Sequence, residues 1–152
     1  MSGPLAGRVA VVAGATRGAG RAIAASLGEA GATVYCTGRS TRGHPATRGR
    51  PETIDETAEL ATVRGGKGLA VRVDPTVEAE VEALFARVAD EQAGRLDVLV
   101  NDVWGGDELA QWVRMTRAEA APRPERSWVE AAPGWSKRRD RRSGRWPWRR
   151  AC

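Results

Sequence analysis

At 152 residues the chain has the length of one domain able to bury a fair core, and two cysteines, Cys36 and Cys152, are too few for a disulfide framework or a metal cluster. The formal charge of +5 is unevenly held: residues 1–112 carry 12 basic and 15 acidic side chains, a net of −3, and residues 113–152 carry 12 and 4, a net of +8. The basic balance therefore says nothing about the partner of the first part, and with no run long enough for a signal core or a membrane span the expectation is a cytoplasmic protein.

The first apolar run, Val9-Ala10-Val11-Val12-Ala13, lacks polar alternation, which is what a parallel strand covered on both faces requires. After a glycine-rich turn, Ala22, Ile23, Ser26, Leu27 and Ala30 recur at helical spacing, and Gly31 ends that helix. Residues 32–37 predict a second strand, with Cys36 as a small buried hydrophobe. Gly38-Arg39-Ser40-Thr41-Arg42-Gly43-His44-Pro45 is rich in breakers and predicts a loop. A helix is expected over 51–64, with Pro51 near its start, Glu52, Asp55 and Glu56 at its positive end, and Gly65-Gly66 as its stop. Residues 69–73 predict a third strand closing at Asp74-Pro75. Thr76 is placed to cap a third helix with the apolar stripe Val77, Val81, Leu84, Phe85 and Val88. Gly94 ends it, and residues 96–100 predict a fourth strand. The order β-α-β-α-β-α-β argues for an α/β, Rossmann-type doubly wound parallel sheet.

Past Trp112 this pattern stops. Residues 113–152 hold no Leu, Ile, Phe or Tyr, while eleven arginines, four prolines and four tryptophans fill the space. So little apolar area does not offset the roughly 1–2 kcal/mol per residue that ordering a backbone costs. The expectation is a sheet truncated after the fourth strand in residues 1–112, and a mostly disordered basic tail over 113–152. Arg, Gly, Pro, Ala and Trp are what GC-rich DNA encodes out of frame, so a frameshift or misplaced gene end near residue 112 is the expected origin of that tail.

The stretch richest in chemistry is Gly14-Ala15-Thr16-Arg17-Gly18-Ala19-Gly20, set between the first strand and the first helix. Gly14 lets the chain leave the strand in a conformation closed to other residues. Gly18 leaves room for a pyrophosphate to approach the backbone, and Gly20 lets the helix pack close to the sheet. The helix N-terminus then presents N–H groups and partial positive charge to phosphates. At the end of the second strand an NAD binder presents an acid to the ribose hydroxyls, whereas this chain has Thr37-Gly38-Arg39-Ser40. A guanidinium at Arg39, with Arg17 as a second basic group, suits a 2′-phosphate, so NADP(H) is favoured over NAD(H). Arg42, Arg48 and Arg50 read as solvated loop charges, and His44, the lone histidine, as a loop residue.

The spacing G-x-x-x-G-x-G resembles that of the short-chain dehydrogenases/reductases, over about residues 5–112. The resemblance implies a nicotinamide cofactor held at Gly14, Thr16, Arg17, Gly18, Ala19, Gly20 and Arg39. Asp74 resembles the family's adenine-facing Asp, with a turn-capping Asp before Pro75 as the other reading. Asn101 matches the first Asn of the family's Asn-Asn-Ala-Gly, where Asp102, Val103 and Trp104 depart from the pattern. Ala13 stands where the motif normally has Thr, so a hydroxyl contact toward the fourth strand is expected to be lost.

Hydride transfer in that family depends on a Ser and a Tyr-x-x-x-Lys, the tyrosine acting as general acid or base. The only tyrosine here is Tyr35, the only lysines are Lys67 and Lys137, and Ser127, Ser136 and Ser143 lie in the tail. The resemblance thus implies an NADP(H)-dependent oxidoreductase whose catalytic residues this chain lacks, with no catalytic or metal residue to name. Two alternatives stand beside it. One is a non-catalytic NADP(H)-binding module. The other is a nucleic-acid binder using Lys137-Arg138-Arg139-Asp140-Arg141-Arg142 and the tail tryptophans.

Overall fold

The computed structural model describes residues 3–46 and 49–103, together with the backbone of 135–136 and 149–150. Its elements are β1 (Val9–Ala13), α1 (Gly18–Glu29), β2 (Thr33–Gly38), α2 (Ile54–Val63), β3 (Lys67–Arg72), α3 (Glu78–Glu91) and β4 (Val98–Asn101), then β5 (Trp135–Ser136) and β6 (Arg149–Arg150). The first four strands form one parallel sheet in the order β3-β2-β1-β4. The two-residue β5 and β6 pair antiparallel with each other. Except for those two pairs of residues, the expected disorder of 113–152 lies outside the described residues.

Burial follows the strand order. β1 lies between two neighbours and every one of its residues is buried, whereas β3 and β4, at the flanks, are only half-buried. Side chains alternate across the sheet, so Val9, Val11, Ala13 and Tyr35 meet Val81, Leu84, Phe85 and Val88 of α3 on one face. Val12, Val34 and Cys36 meet Ala24 of α1 and Ala58 of α2 on the other. Helices on both faces of a parallel sheet are the doubly wound arrangement expected above.

Several boundaries differ from the sequence reading, each for a local reason. α2 begins at Ile54, because Thr53 caps it: its hydroxyl accepts from Glu56 N at 3.3 Å, and the Glu56 carboxylate accepts from Thr53 N at 3.2 Å. Pro51 and Glu52 therefore precede the helix. Thr76 does not cap α3, since its hydroxyl donates to Asp74 at 2.7 Å; Val77 occupies the cap position and is 42% exposed, outside the apolar stripe. β3 starts two residues early, at Lys67. β4 starts two residues late, because Leu96 plugs the core and the Asp97 carboxylate is turned back to Val9 N at 2.9 Å and Arg8 at 2.6 Å.

Candidate functional site

The register brings the carboxyl ends of all four strands out at one edge. Ala13 is level with Thr37 and Asn101, and Gly38 is level with Arg72. The turn after β1, Arg39 after β2, Asp74 after β3 and Asn101 at the end of β4 therefore share one rim of the sheet, the usual place for ligands in this architecture.

Within the turn the three glycines serve different needs. Gly14 and Gly18 adopt positive φ, +82° and +57°. A Cβ on Gly14 would collide with the Asp102 carbonyl, and one on Gly20 would collide with the Gly14 carbonyl. Among the described residues a Cβ on Gly18 would meet no atom within 4 Å. Two glycines thus permit close packing, and the third, which is exposed, faces open space. The turn is anchored from beneath: Gly14 N and Ala15 N both donate to the Thr37 carbonyl, at 3.1 and 2.9 Å. The buried Thr57 hydroxyl of α2 donates to the Ala15 carbonyl at 2.8 Å. Thr16 packs its hydroxyl against the space above Gly38.

α1 starts at Gly18 with Arg17 as its N-cap; among the described residues no side chain caps it, and no acid sits in its first turn. α2 by contrast carries a full capping box and two first-turn acids, Asp55 and Glu56. Orphan N–H groups and partial positive charge are what a helix start without a side-chain cap offers to an anion.

Arg39 is exposed beside Gly38. Asp74 is partly buried, which by itself raises its pKa. The Thr76 hydroxyl and amide outweigh that burial, at 2.7 and 3.0 Å, and with the charges of Arg39 and Arg72 they hold the carboxyl below its ordinary value. Its carboxylate thus braces the Pro75-Thr76 turn. Asn101 is exposed at the rim. The hydroxyl missing at Ala13 is not needed to tie β1 to the end of β4, because Asp102 N donates to the Ala13 carbonyl at 3.0 Å.

Other charged groups are engaged elsewhere. Arg42 pairs with Glu59 at 2.7 Å, and its amide donates to Asp55 at 2.8 Å. Arg50 lies 3.9 Å from Glu52, and His44 forms a loop bridge with Thr41. Arg48 lies outside the described residues. Among the described residues no three His, Cys, Asp or Glu side chains gather as a metal site, and no helix is long and apolar enough to cross a membrane. Tyr35 is fully buried under α3; its hydroxyl donates to Glu91 at 2.7 Å and accepts from Gln92 at 2.8 Å. Burial, reinforced by the Glu91 hydrogen bond, pushes its pKa up to about 12.

Sequence reasoning missed Thr57 and the Thr53–Glu56 box, although Thr53-Ile54-Asp55-Glu56 carries the box spacing openly. Thr57 left no local signal, because its partner Ala15 is 42 residues away.

The family profile described as short chain dehydrogenase matches residues 8–116. The chain belongs to that family. Among short-chain dehydrogenase relatives, mouse dehydrogenase/reductase SDR family member 1 is 46% identical over 106 residues, covering 70% of this chain and 31% of the relative. The chain thus spans about a third of the length of that curated relative. A short-chain dehydrogenase structure from Mycobacterium thermoresistibile shares the fold, with a TM-score of 0.66 at 22% identity over 84% of this chain and 46% of that one. A structure of an NADH-dependent reductase complexed with NAD is 29% identical, with a TM-score of 0.52, over 66% of this chain and 38% of that one.

Proposed function

We propose that residues 1–112 form the NADP(H)-binding half of a short-chain dehydrogenase/reductase, an oxidoreductase acting on carbonyl or alcohol substrates, and that residues 113–152 are a separate tail. The observation that carries this reading is the start of α1: among the described residues a helix end without a side-chain cap, reached through a glycine whose missing side chain meets no described atom at the sheet rim. Main-chain N–H groups at Gly18, Ala19 and Gly20 would hold the pyrophosphate, with Gly14 and Thr16 shaping the turn. Arg39 and Arg17 would take the 2′-phosphate, Asp74 would stand near the adenine, and Asn101 near the adenosine ribose. When bound, the cofactor supplies or accepts a hydride.

A second reading, a module that binds the cofactor without turning it over, is favoured by Tyr35. The chain's single tyrosine is buried in the sheet, faces α3 and has a raised pKa, the opposite of what a catalytic acid needs. The two readings agree on the cofactor and differ on chemistry, so one titration addresses both. NADPH is expected to quench tryptophan fluorescence saturably and to bind more tightly than NADH, and Arg39→Asp is expected to reverse that order. Adding a carbonyl substrate to the NADPH complex is expected to leave absorbance at the reduced-nicotinamide band unchanged. Indifference to both dinucleotides would remove the cofactor reading, and steady loss of that band would remove the claim of an incomplete catalytic apparatus.

A further inference from the structure

We propose that Asp102 is a built-in anion that competes with the cofactor's phosphates for the positive end of α1 and thereby sets how tightly the dinucleotide binds. The inference rests on the seating of the pyrophosphate at the glycine turn. Asp102 follows β4 directly and is held there by its main chain. Its amide donates to the Ala13 carbonyl at 3.0 Å, and its own carbonyl packs on the Cα side of Gly14, where a Cβ would collide with it. Its Oδ2 lies 3.0 Å from the point a Cβ on Gly20 would occupy, which sets a carboxylate beside the first turn of α1. That turn has no acid of its own and, among the described residues, no side-chain cap.

A negative charge beside a helix start is favourable there as long as no other anion is present. When a pyrophosphate arrives, the same carboxylate becomes a like charge a few ångströms away. It must be screened or turned aside, and either response lowers affinity. Two cations flank the same helix start: Arg17 at the N-cap position, and Arg21, which is paired with Glu56 of α2 at 3.2 Å and so is already shared with another carboxylate. The family pattern that this stretch resembles has an asparagine after the first Asn, a side chain of the same shape without the charge. Asp102 therefore acts as a determinant of affinity without forming any bond to the ligand.

The test uses the full chain. NADPH and adenosine 2′-phosphate are titrated against the unmodified protein and against Asp102→Asn, with far-UV circular dichroism to show that both are folded. Only NADPH carries a pyrophosphate to the turn, whereas both ligands reach the Arg39 end. The expected result is NADPH binding on the order of tenfold tighter in Asp102→Asn, as removing one like charge at short range in a partly solvated site implies, with adenosine 2′-phosphate unchanged. Should Asp102→Asn be misfolded, Asp102→Ser carries the same expectation. Equal NADPH affinity in the two proteins overturns the proposal and leaves the cofactor reading standing. Tightening of both ligands alike also overturns it, because the effect would then be one of packing. Failure of either protein to bind NADPH overturns the seat itself, and the proposal with it.

Discussion

Gly20 and Gly18 lie two positions apart in one turn, and substitutions at them are expected to fail in different ways. A side chain on Gly20 is driven into the Gly14 carbonyl, backbone that cannot step aside, so Gly20→Val should cost several kcal/mol, roughly the size of the larger overpacking penalties. Gly18→Ala meets no neighbour within 4 Å among the described residues and costs only what its φ of +57° imposes, about 1–2 kcal/mol. It nevertheless places a methyl group in the space left for a ligand. Urea unfolding of the two variants should rank Gly20→Val as much the less stable, and NADPH titration should find Gly18→Ala folded but weakened in binding. A Gly18→Ala protein that binds as well as the parent would place the ligand elsewhere.

The first two strands and the glycine turn were legible because their signals are local: an apolar run broken by Gly14, and three glycines within seven residues. What stayed hidden depends on partners far along the chain. Lys67 and Gly68 do not look like strand residues, yet they open β3, because Lys67 is exposed on a flanking strand and the bare Gly68 lets the Ala58 backbone of α2 press against it. Asp102 reads as a departure from a motif, and only the fold shows that it abuts Gly14 and Gly20. Thr53 lies between these extremes, since its box is local but the nearby Pro51 offers a competing start signal. Its weight can be measured: Thr53→Ala should lower stability by about 1 kcal/mol, the usual worth of an N-cap, while Thr76→Ala should cost α3 no cap. A Thr53→Ala protein as stable as the parent in chemical denaturation would contradict the assignment of Thr53 as the cap.

Tyr35 and Cys36 are consecutive in β2, both buried, one in the core on each face of the sheet. Burial raises Cys36 from 9.0 to about 12, and burial with the Glu91 hydrogen bond raises Tyr35 from 10.0 to about 12. Both folded values lie above the unfolded ones, so their contribution is fully present below about pH 9 and is lost as pH climbs toward about 12. For Tyr35 alone, two pKa units correspond to roughly 3 kcal/mol. Unfolding free energies measured from pH 8 to pH 11.5 should fall steeply above pH 9, and Tyr35→Phe should flatten the upper part of that fall. A Tyr35→Phe profile parallel to that of the parent would refute it.

The parallel sheet also governs how the chain must be made. β1 pairs with β2 soon after it, but its other edge waits for β4, and the Asp97 carboxylate that meets Val9 N lies 88 residues downstream. At synthesis rates of roughly 5–20 residues per second, the most apolar strand of the domain spends about 4–18 s with one side unpaired on the ribosome. A nascent chain of this kind invites chaperone custody, with Val9–Ala13 as the segment to be shielded until residues 98–101 emerge and take their place beside it.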